Sequence, residues 1–99
     1  MNEASRPIRI LREAQTDITT AFDWYEAQRS GLGFDFLRAL SAAIEAAHRS
    51  PEHYPVLEEE IRRVLLRGFP YGVFFTRDET ETLVTRVIHA RRDPQRWRR

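Results

Sequence analysis

Two stretches of helical periodicity occupy the first half of the chain, and only four residues separate them. In residues 13–29, apolar side chains recur with a period of about 3.6, which is typical of an amphipathic helix. A second helix is predicted from about residue 34 to residue 49, because the residue before Pro51 is pushed out of helical geometry. The connection Ser30-Gly31-Leu32-Gly33 is so short that the helices are expected to form an antiparallel hairpin.

Three runs that are typical of β-strands dominate the second half. They span residues 61–67, 71–76 and 82–90. Gly68-Phe69-Pro70 separates the first two runs, and a polar segment at residues 77–81 separates the last two. Because these connections are short, the three strands are predicted to pair as an antiparallel meander.

A further short strand precedes the helices. Ile8 and Ile10 alternate with Arg9 after Pro7, as the residues of a strand do, whereas residues 51–60 are predicted to form a loop. The predicted fold class is therefore α+β in the order β-α-α-β-β-β. It consists of a four-stranded antiparallel sheet with the two-helix hairpin on one face. A chain of 99 residues suits one core, so we expect a single domain over residues 1–99.

The positive charge of the chain is concentrated in its second half. Residues 1–60 carry six Arg and eleven Asp or Glu, a net charge of −5, whereas residues 61–99 carry ten Arg and four Asp or Glu, a net charge of +6. All 16 basic residues are Arg, and the chain has no Lys. The guanidinium group of Arg stays charged and holds phosphate or carboxylate bidentately. This asymmetry predicts one face that binds an anionic partner, such as nucleic acid or an acidic peptide.

Composition argues against several other classes of site and location. The chain has no Cys, and His48 and His53 lie on either side of a predicted helix end, so neither a disulfide nor a metal site is expected. No cofactor is expected either, since the four glycines fit turns rather than a phosphate-binding loop. No apolar run reaches the roughly 18 residues that span a bilayer, and the N-terminus has no apolar signal core. These features predict a cytoplasmic location.

The candidate functional residues lie at the end of the predicted sheet. In the first strand of the meander, Val64 and Leu66 are expected to face the helices. The alternation then leaves Arg63 and Arg67 on the opposite, open face, from which either could approach His89 across the sheet. The candidate residues for binding or catalysis are Arg63, Arg67, His89, Arg91, Arg92 and Trp97.

The last strand contributes both a histidine and an arginine. Strict alternation predicts Val84, Arg86 and Ile88 on one face of the sheet and His89 on the other. A histidine at a strand end is often a hydrogen-bonded structural residue, and an Arg-rich terminus is often a solvated tail. The sequence alone leaves these ordinary explanations open.

A cluster of this composition would act on phosphates. Several arginines would bind the phosphate groups, and His89 would serve as general acid or base near neutral pH. The same guanidinium groups would stabilise the charge that develops on a phosphodiester during attack by a 2′-hydroxyl group. Tyr71 and Trp97 would stack on a base, although Trp97 could equally pack against its own domain.

The order and spacing of several short motifs resemble those of a known superfamily. The motifs are Ala21…Trp24-Tyr25-Glu26, Gly31-Leu32-Gly33…Phe36, Pro51…Tyr54-Pro55, Arg62-Arg63…Leu66…Phe69-Pro70-Tyr71 and His89…Arg92-Asp93-Pro94…Trp97. Together they resemble the RelE/ParE superfamily of toxins from type II toxin–antitoxin modules, over residues of about 8 to 98. The resemblance is greatest to the ParE-like branch, which is often labelled plasmid stabilisation proteins. It implies the same element order that the periodicity predicts.

The resemblance implies two alternative activities. RelE-like toxins cleave messenger RNA in the ribosome, whereas ParE-like toxins poison DNA gyrase and are not nucleases. In the ribonuclease branch, Arg63, Arg67, His89 and Arg92 match positions that carry catalytic or substrate-binding groups. That branch often has lysines and a tyrosine there, whereas this chain has no Lys, and Trp97 follows the strand. This departure favours the ParE-like activity.

The resemblance also implies a protein partner, a cognate antitoxin with an acidic, partly disordered segment that folds on binding. The resemblance therefore leaves three possible functions. They are a gyrase-directed growth inhibitor, a ribosome-dependent messenger RNA endonuclease, and a non-toxic module that binds an antitoxin.

Overall fold

The computed structural model describes residues 6–92, which form two helices and one mixed β-sheet. A short 3-10 turn at Pro51–His53 follows the second helix. The elements are β1 (Ile8–Ile10), α1 (Arg12–Gln28), α2 (Leu32–Arg49), β2 (Val56–Glu58), β3 (Ile61–Leu65), β4 (Tyr71–Arg77) and β5 (Thr82–His89). Within residues 6–92, neither helix combines the length and hydrophobicity that a bilayer span requires.

The connection between α1 and α2 is organised by Glu26 and two glycines. The Glu26 carboxylate accepts hydrogen bonds from the backbone N–H groups of Gly31 and Gly33, each at 2.9 Å, and so caps the start of α2. Gly31 has φ of 93°, in the left-handed region that glycine adopts without strain. A Cβ at Gly33 would lie 2.8 Å from the ring of Phe22, so only glycine allows the two helices to approach this closely. The Gly31-Leu32-Gly33 motif therefore serves the packing of the two helices.

The sheet has five strands in the order β1-β5-β4-β3-β2, and this corrects the predicted four-stranded antiparallel sheet. The meander of β3, β4 and β5 is antiparallel as predicted. Two features differ from the prediction: β2 adds a fifth strand, antiparallel to β3, and β1 pairs with β5 in parallel.

The two differences have one cause. The strand β2 lies inside the predicted loop at residues 51–60, and it is only three residues long. Glu59 and Glu60, with φ of 49° and 67°, form the tight turn from β2 to β3. Each added reversal of the chain inverts the direction of every later strand. A predicted fold without β2 therefore makes β1 and β5 antiparallel, whereas the actual pair is parallel.

The main hydrophobic core lies between the helices and one face of the sheet. Phe36 of α2 and Phe75 of β4 are both fully buried there. A smaller cluster of Ile61, Phe74 and Ile88 is buried on the opposite face of the sheet. Because β4 contributes to both clusters, it is the central strand that its apolar sequence predicts.

A bulge interrupts the alternation of β5. The pairing with β4 shifts by one residue between Phe74 and Phe75. Val84 and Val87, three residues apart, consequently both belong to the main core, whereas Ile88 belongs to the opposite cluster. The prediction that Val84 and Ile88 share a face is therefore wrong, because an extra residue in one strand reverses the faces that follow it.

Candidate functional site

Two adjoining hollows open where α1 passes the ends of β4 and β5. The larger has a volume of about 420 Å³, and the smaller, with a volume of about 120 Å³, extends towards the sheet. Thr20, Tyr71, His89 and Arg92 line both hollows. We call this concave surface the Tyr71 notch. Its larger hollow is also lined by Trp24, Tyr25 and Pro70, and its smaller hollow by Asp17, Ala21, Arg86, Val87 and Ile88.

Asp17 of α1 connects the helix to the floor of the notch. Its carboxylate accepts hydrogen bonds from Arg86 Nε at 2.7 Å and from Arg86 Nη2 at 3.0 Å. It also accepts the backbone N–H of Val87 at 2.9 Å. Because β1 ends at Ile10, which pairs with Val84, β5 has no neighbouring strand at Val87. Asp17 therefore supplies the acceptor that a longer β1 would have supplied.

The backbone just after β5 fixes the tautomer of the His89 ring. The backbone N–H of Arg91 donates to His89 Nδ1 at 3.0 Å, so the proton of the neutral imidazole resides on Nε2. The backbone N–H of Arg92 donates to the carbonyl oxygen of His89 at 2.9 Å. The ring of His89 meets that of Tyr71 edge to face at a centroid distance of 5.1 Å. His89 thus enters the notch with one N–H donor.

The two phenol groups of the notch stay protonated at neutral pH. Burial raises the pKa of Tyr71, and the nearby charge of Asp17 raises it further, while Arg92 acts in the opposite direction. Burial also raises the pKa of Tyr25, and Tyr71 adds to that effect. The Arg86 charge is balanced by Asp17 at 2.7 Å. Arg92 is consequently the exposed, uncompensated cation among the described residues that line the notch.

Arg63 and Arg67 do not join His89, which corrects the predicted convergence. Arg63 pairs with Phe74, whose side chain belongs to the cluster on the open face, and its methylene groups cover Gly72. His89 lies with Tyr71 on the face that carries the helices. The predicted open-face position of Arg63 agrees with the structure. That position is the reason Arg63 cannot reach His89, since the sheet separates them.

Arg67 lines a different concave surface beside α2, which we call the α2 groove. Its volume is about 480 Å³, and its lining residues are Ala39, Ala42, Ala43, Ala46, Tyr54, Val64, Leu65 and Arg67. Leu65 is 60% exposed at the rim. The neighbouring β2 contains Val56, which is 53% exposed. A groove lined by four alanines, with an arginine at its edge, therefore lies apart from the Tyr71 notch.

The remaining predicted residues divide between the notch and the undescribed part of the chain. Arg92 lines the notch, and Arg91 is exposed beside it. Trp97 lies outside the described residues, as does Asp93-Pro94.

Asp17 is a residue of this site that was not among those predicted from the sequence. Asp17 is three residues after Ala14 and four before Ala21, both of which are buried. A carboxylate on the buried stripe of an amphipathic helix indicates a fixed partner, and this signal could have identified it.

Comparisons with known proteins place the chain in a family. Among curated proteins, none matches the chain. A solved structure described as the chromosomal ParDE toxin–antitoxin system from P. aeruginosa is similar, with a TM-score of 0.74 and 14% identity. The match covers 85% of this chain and 95% of that chain. The profile of the family described as the ParE toxin of the type II toxin–antitoxin system, parDE, matches residues 8–94. The resemblance drawn from the motifs is thereby confirmed, and the chain belongs to the ParE toxin family of type II toxin–antitoxin systems.

Proposed function

We propose that the protein inhibits growth by binding DNA gyrase through the Tyr71 notch, without cutting a phosphodiester bond. The composition of the notch is the observation that carries the proposal. His89 and Arg92 line it together with Tyr71, whereas Arg63 and Arg67 lie on other surfaces. A site of this kind offers hydrogen-bond donors and aromatic contacts to a protein partner.

Cleavage of RNA would require more positive charge at one place than the described residues of the notch offer. A ribonuclease site needs a proton acceptor and cationic groups around the same phosphodiester. In the described part of the notch, Arg92 is the exposed cation, and the Arg86 charge is held by Asp17. This count favours target binding over the alternative of a ribosome-dependent endonuclease that uses Arg63, Arg67, His89 and Arg92.

We further propose that a cognate antitoxin binds the α2 groove and neutralises the toxin. An acidic segment that folds on binding would place apolar side chains against the alanines of α2 and an acidic side chain near Arg67. The exposed Leu65 and Val56 support this assignment, because an antitoxin would cover them. The concentration of Arg in the second half of the chain would speed association with an acidic partner.

Induction of the protein alone in a bacterial host separates the three functions. Plasmid supercoiling, DNA damage and messenger RNA integrity are measured over the first minutes after induction. Loss of supercoiling with intact transcripts is the expected result. Early transcript cleavage would instead establish the endonuclease, and unimpaired growth would establish a non-toxic module that binds an antitoxin.

Substitution of His89 sharpens this experiment. The variant His89→Ala removes the imidazole that an endonuclease would use as acid or base. If the protein is an endonuclease, this variant should lose transcript cleavage by a factor of about 100 or more. If the protein binds gyrase, His89→Ala should keep measurable inhibition of supercoiling, because the other contacts of the notch remain. Arg49→Ala, at an exposed position of α2 away from the notch, is the matched control.

A further inference from the structure

We infer that the Tyr71 notch recognises a protein segment in which an aromatic or large apolar side chain stands next to a carboxylate. The inference deepens the proposed function, since it gives the chemistry by which a protein target would be held. A polynucleotide is the alternative ligand, and the test below distinguishes the two.

The aromatic half of the ligand is inferred from the walls of the larger hollow. Trp24 is 58% exposed there, and its ring meets that of Tyr25 edge to face at 5.1 Å. The rings of Tyr25 and Tyr71 lie 6.1 Å apart, also edge to face. Pro70 completes the apolar lining. Such walls suit one more ring, because aromatic groups pack favourably edge to face and dominate the energy of protein interfaces.

The carboxylate half is inferred from the mouth of the notch. Arg92 is exposed there, and a guanidinium group holds one carboxylate through two parallel hydrogen bonds. The Nε2–H group of His89 provides a further donor in the same hollow, because Nδ1 already accepts the Arg91 N–H group. Among the described residues of the notch, one exposed guanidinium group and one imidazole N–H donor thus suit a single carboxylate.

The same residues are poorly suited to a nucleic acid. Binding of a phosphate backbone relies on several cations, each of which neutralises one phosphate. The smaller hollow instead has the carboxylate of Asp17 in its wall, paired with the guanidinium group of Arg86. Arg63 and Arg67 cannot add to the charge of the notch, since they belong to other surfaces.

Short probes test the inference on the purified full-length protein. The probe is the dipeptide acetyl-Phe-Asp-amide, titrated while the backbone amide signals are followed by NMR. Acetyl-Phe-Asn-amide is nearly the same size without the charge, and uridine 5′-monophosphate represents a nucleotide. We expect the acidic dipeptide to shift the signals of Thr20, Tyr71 and His89, with a Kd on the order of a few millimolar. The neutral dipeptide and the nucleotide should each bind about threefold more weakly or worse.

Two variants with matched controls assign the binding to the notch. Thr20→Trp fills the hollow from an exposed position of α1 and should abolish binding, whereas Thr19→Trp, also exposed but outside the notch, should not. Arg92→Gln should reduce the affinity for the acidic dipeptide to that for the neutral one. Arg49→Gln should preserve the preference.

Three results would overturn the inference. These are equal binding of the two dipeptides, tighter binding of the nucleotide, and undiminished binding by Thr20→Trp. The titration contains no gyrase, so its failure refutes the recognition chemistry alone. A failure of the proposed function would appear instead in the supercoiling measurement.

Discussion

Asp17 shows how one side chain replaces a missing length of strand. Its carboxylate lies where β1 stops, and it accepts the Val87 N–H group while holding the guanidinium group of Arg86. The side chains of Asp17 and Arg86 are only 16% and 28% exposed, so water screens their interaction weakly. Asp17 therefore both completes the edge of the sheet and balances the charge in the floor of the notch.

Removal of this carboxylate should be costly. Asp17→Ala removes the acceptor of the Val87 N–H group and takes the Asp17 carboxylate away from the partly buried guanidinium group of Arg86. We expect the free energy of unfolding to fall by about 2 to 4 kcal/mol. Urea unfolding measures this as a lower midpoint at an unchanged slope. The control Asp23→Ala, at an exposed position of the same helix, should change stability by about 0.5 kcal/mol or less, and a similar loss for both variants would contradict the role of Asp17.

Asp78 gives a pH dependence whose sign follows from its hydrogen bonds. The Oδ1 atom accepts the hydroxyl and backbone N–H groups of Thr80, at 2.8 and 2.7 Å, and the backbone N–H of Glu81 at 2.9 Å. These bonds favour the ionised form and hold the pKa of Asp78 below its ordinary value. A depressed folded-state pKa means that the stabilisation is complete above the ordinary value and is lost as the pH falls through the folded-state value.

We therefore expect the stability of the protein to decrease as the pH is lowered below about 4. The variant Asp78→Asn keeps an oxygen acceptor but does not titrate. Its decrease over the same range should be smaller than that of the parent, as measured by thermal unfolding at a series of pH values. Identical pH profiles for the two proteins would show that Asp78 does not contribute to this acid sensitivity.

At the scale of the elements, the close contact of the two helices depends on Gly33. A Cβ at this position would lie 2.8 Å from ring atoms of Phe22 and 2.9 Å from its carbonyl oxygen. A Cβ at Gly31 would meet nothing within 4 Å, so a substitution there would be limited by its positive φ alone. The two glycines of one short connection are thus required for different reasons.

This difference can be measured by a double-mutant cycle. Gly33→Ala should lower the free energy of unfolding by about 1 to 3 kcal/mol, because the added carbon overpacks the helix contact. Part of that loss should disappear when the Phe22 ring is also removed, giving a coupling of about 0.5 kcal/mol or more with Phe22→Ala. Gly31→Ala, combined with the same Phe22 variant, should be additive. Additivity in both cycles would mean that the ring does not limit the approach of the helices.

At the scale of the whole molecule, the notch and the α2 groove are separate surfaces with different chemistry. The notch lies between α1 and the ends of β4 and β5, whereas the groove is lined by α2 and β3. They have no lining residue in common. Under the proposed function, the target and the antitoxin would occupy different surfaces, so a substitution could weaken the binding of one and leave that of the other intact.

A substitution in the groove should therefore separate neutralisation from toxicity. Ala42→Trp fills the α2 groove and should weaken antitoxin binding by about tenfold or more. The indole ring would occupy the space that large anchoring side chains of the antitoxin need, and such anchors dominate the binding energy of interfaces. Growth inhibition in the absence of the antitoxin should persist. Co-expression and an affinity measurement with the purified antitoxin provide the two readouts. The control is Ser41→Trp, at the adjacent exposed position outside the groove. If Ala42→Trp lost toxicity and Ser41→Trp did not, the two surfaces would be coupled.

The pattern of residues was enough to predict both helices, four of the five strands and the family. Apolar periodicity predicted both helices and the antiparallel meander, because side-chain burial follows the repeat of each element. The ordered motifs predicted the ParE family, which the match over residues 8–94 shows.

Which charged side chains meet depends on how the elements pack in three dimensions. The pairing of Asp17 with Arg86 joins residues 69 positions apart. The bulge in β5 and the reversal added by β2 change faces and directions through single local irregularities. Side-chain alternation is an exact two-residue rule, so one unrecognised irregularity reverses everything beyond it. For this reason Arg63 and His89 are close in a simple meander pattern but lie on opposite faces of the actual sheet.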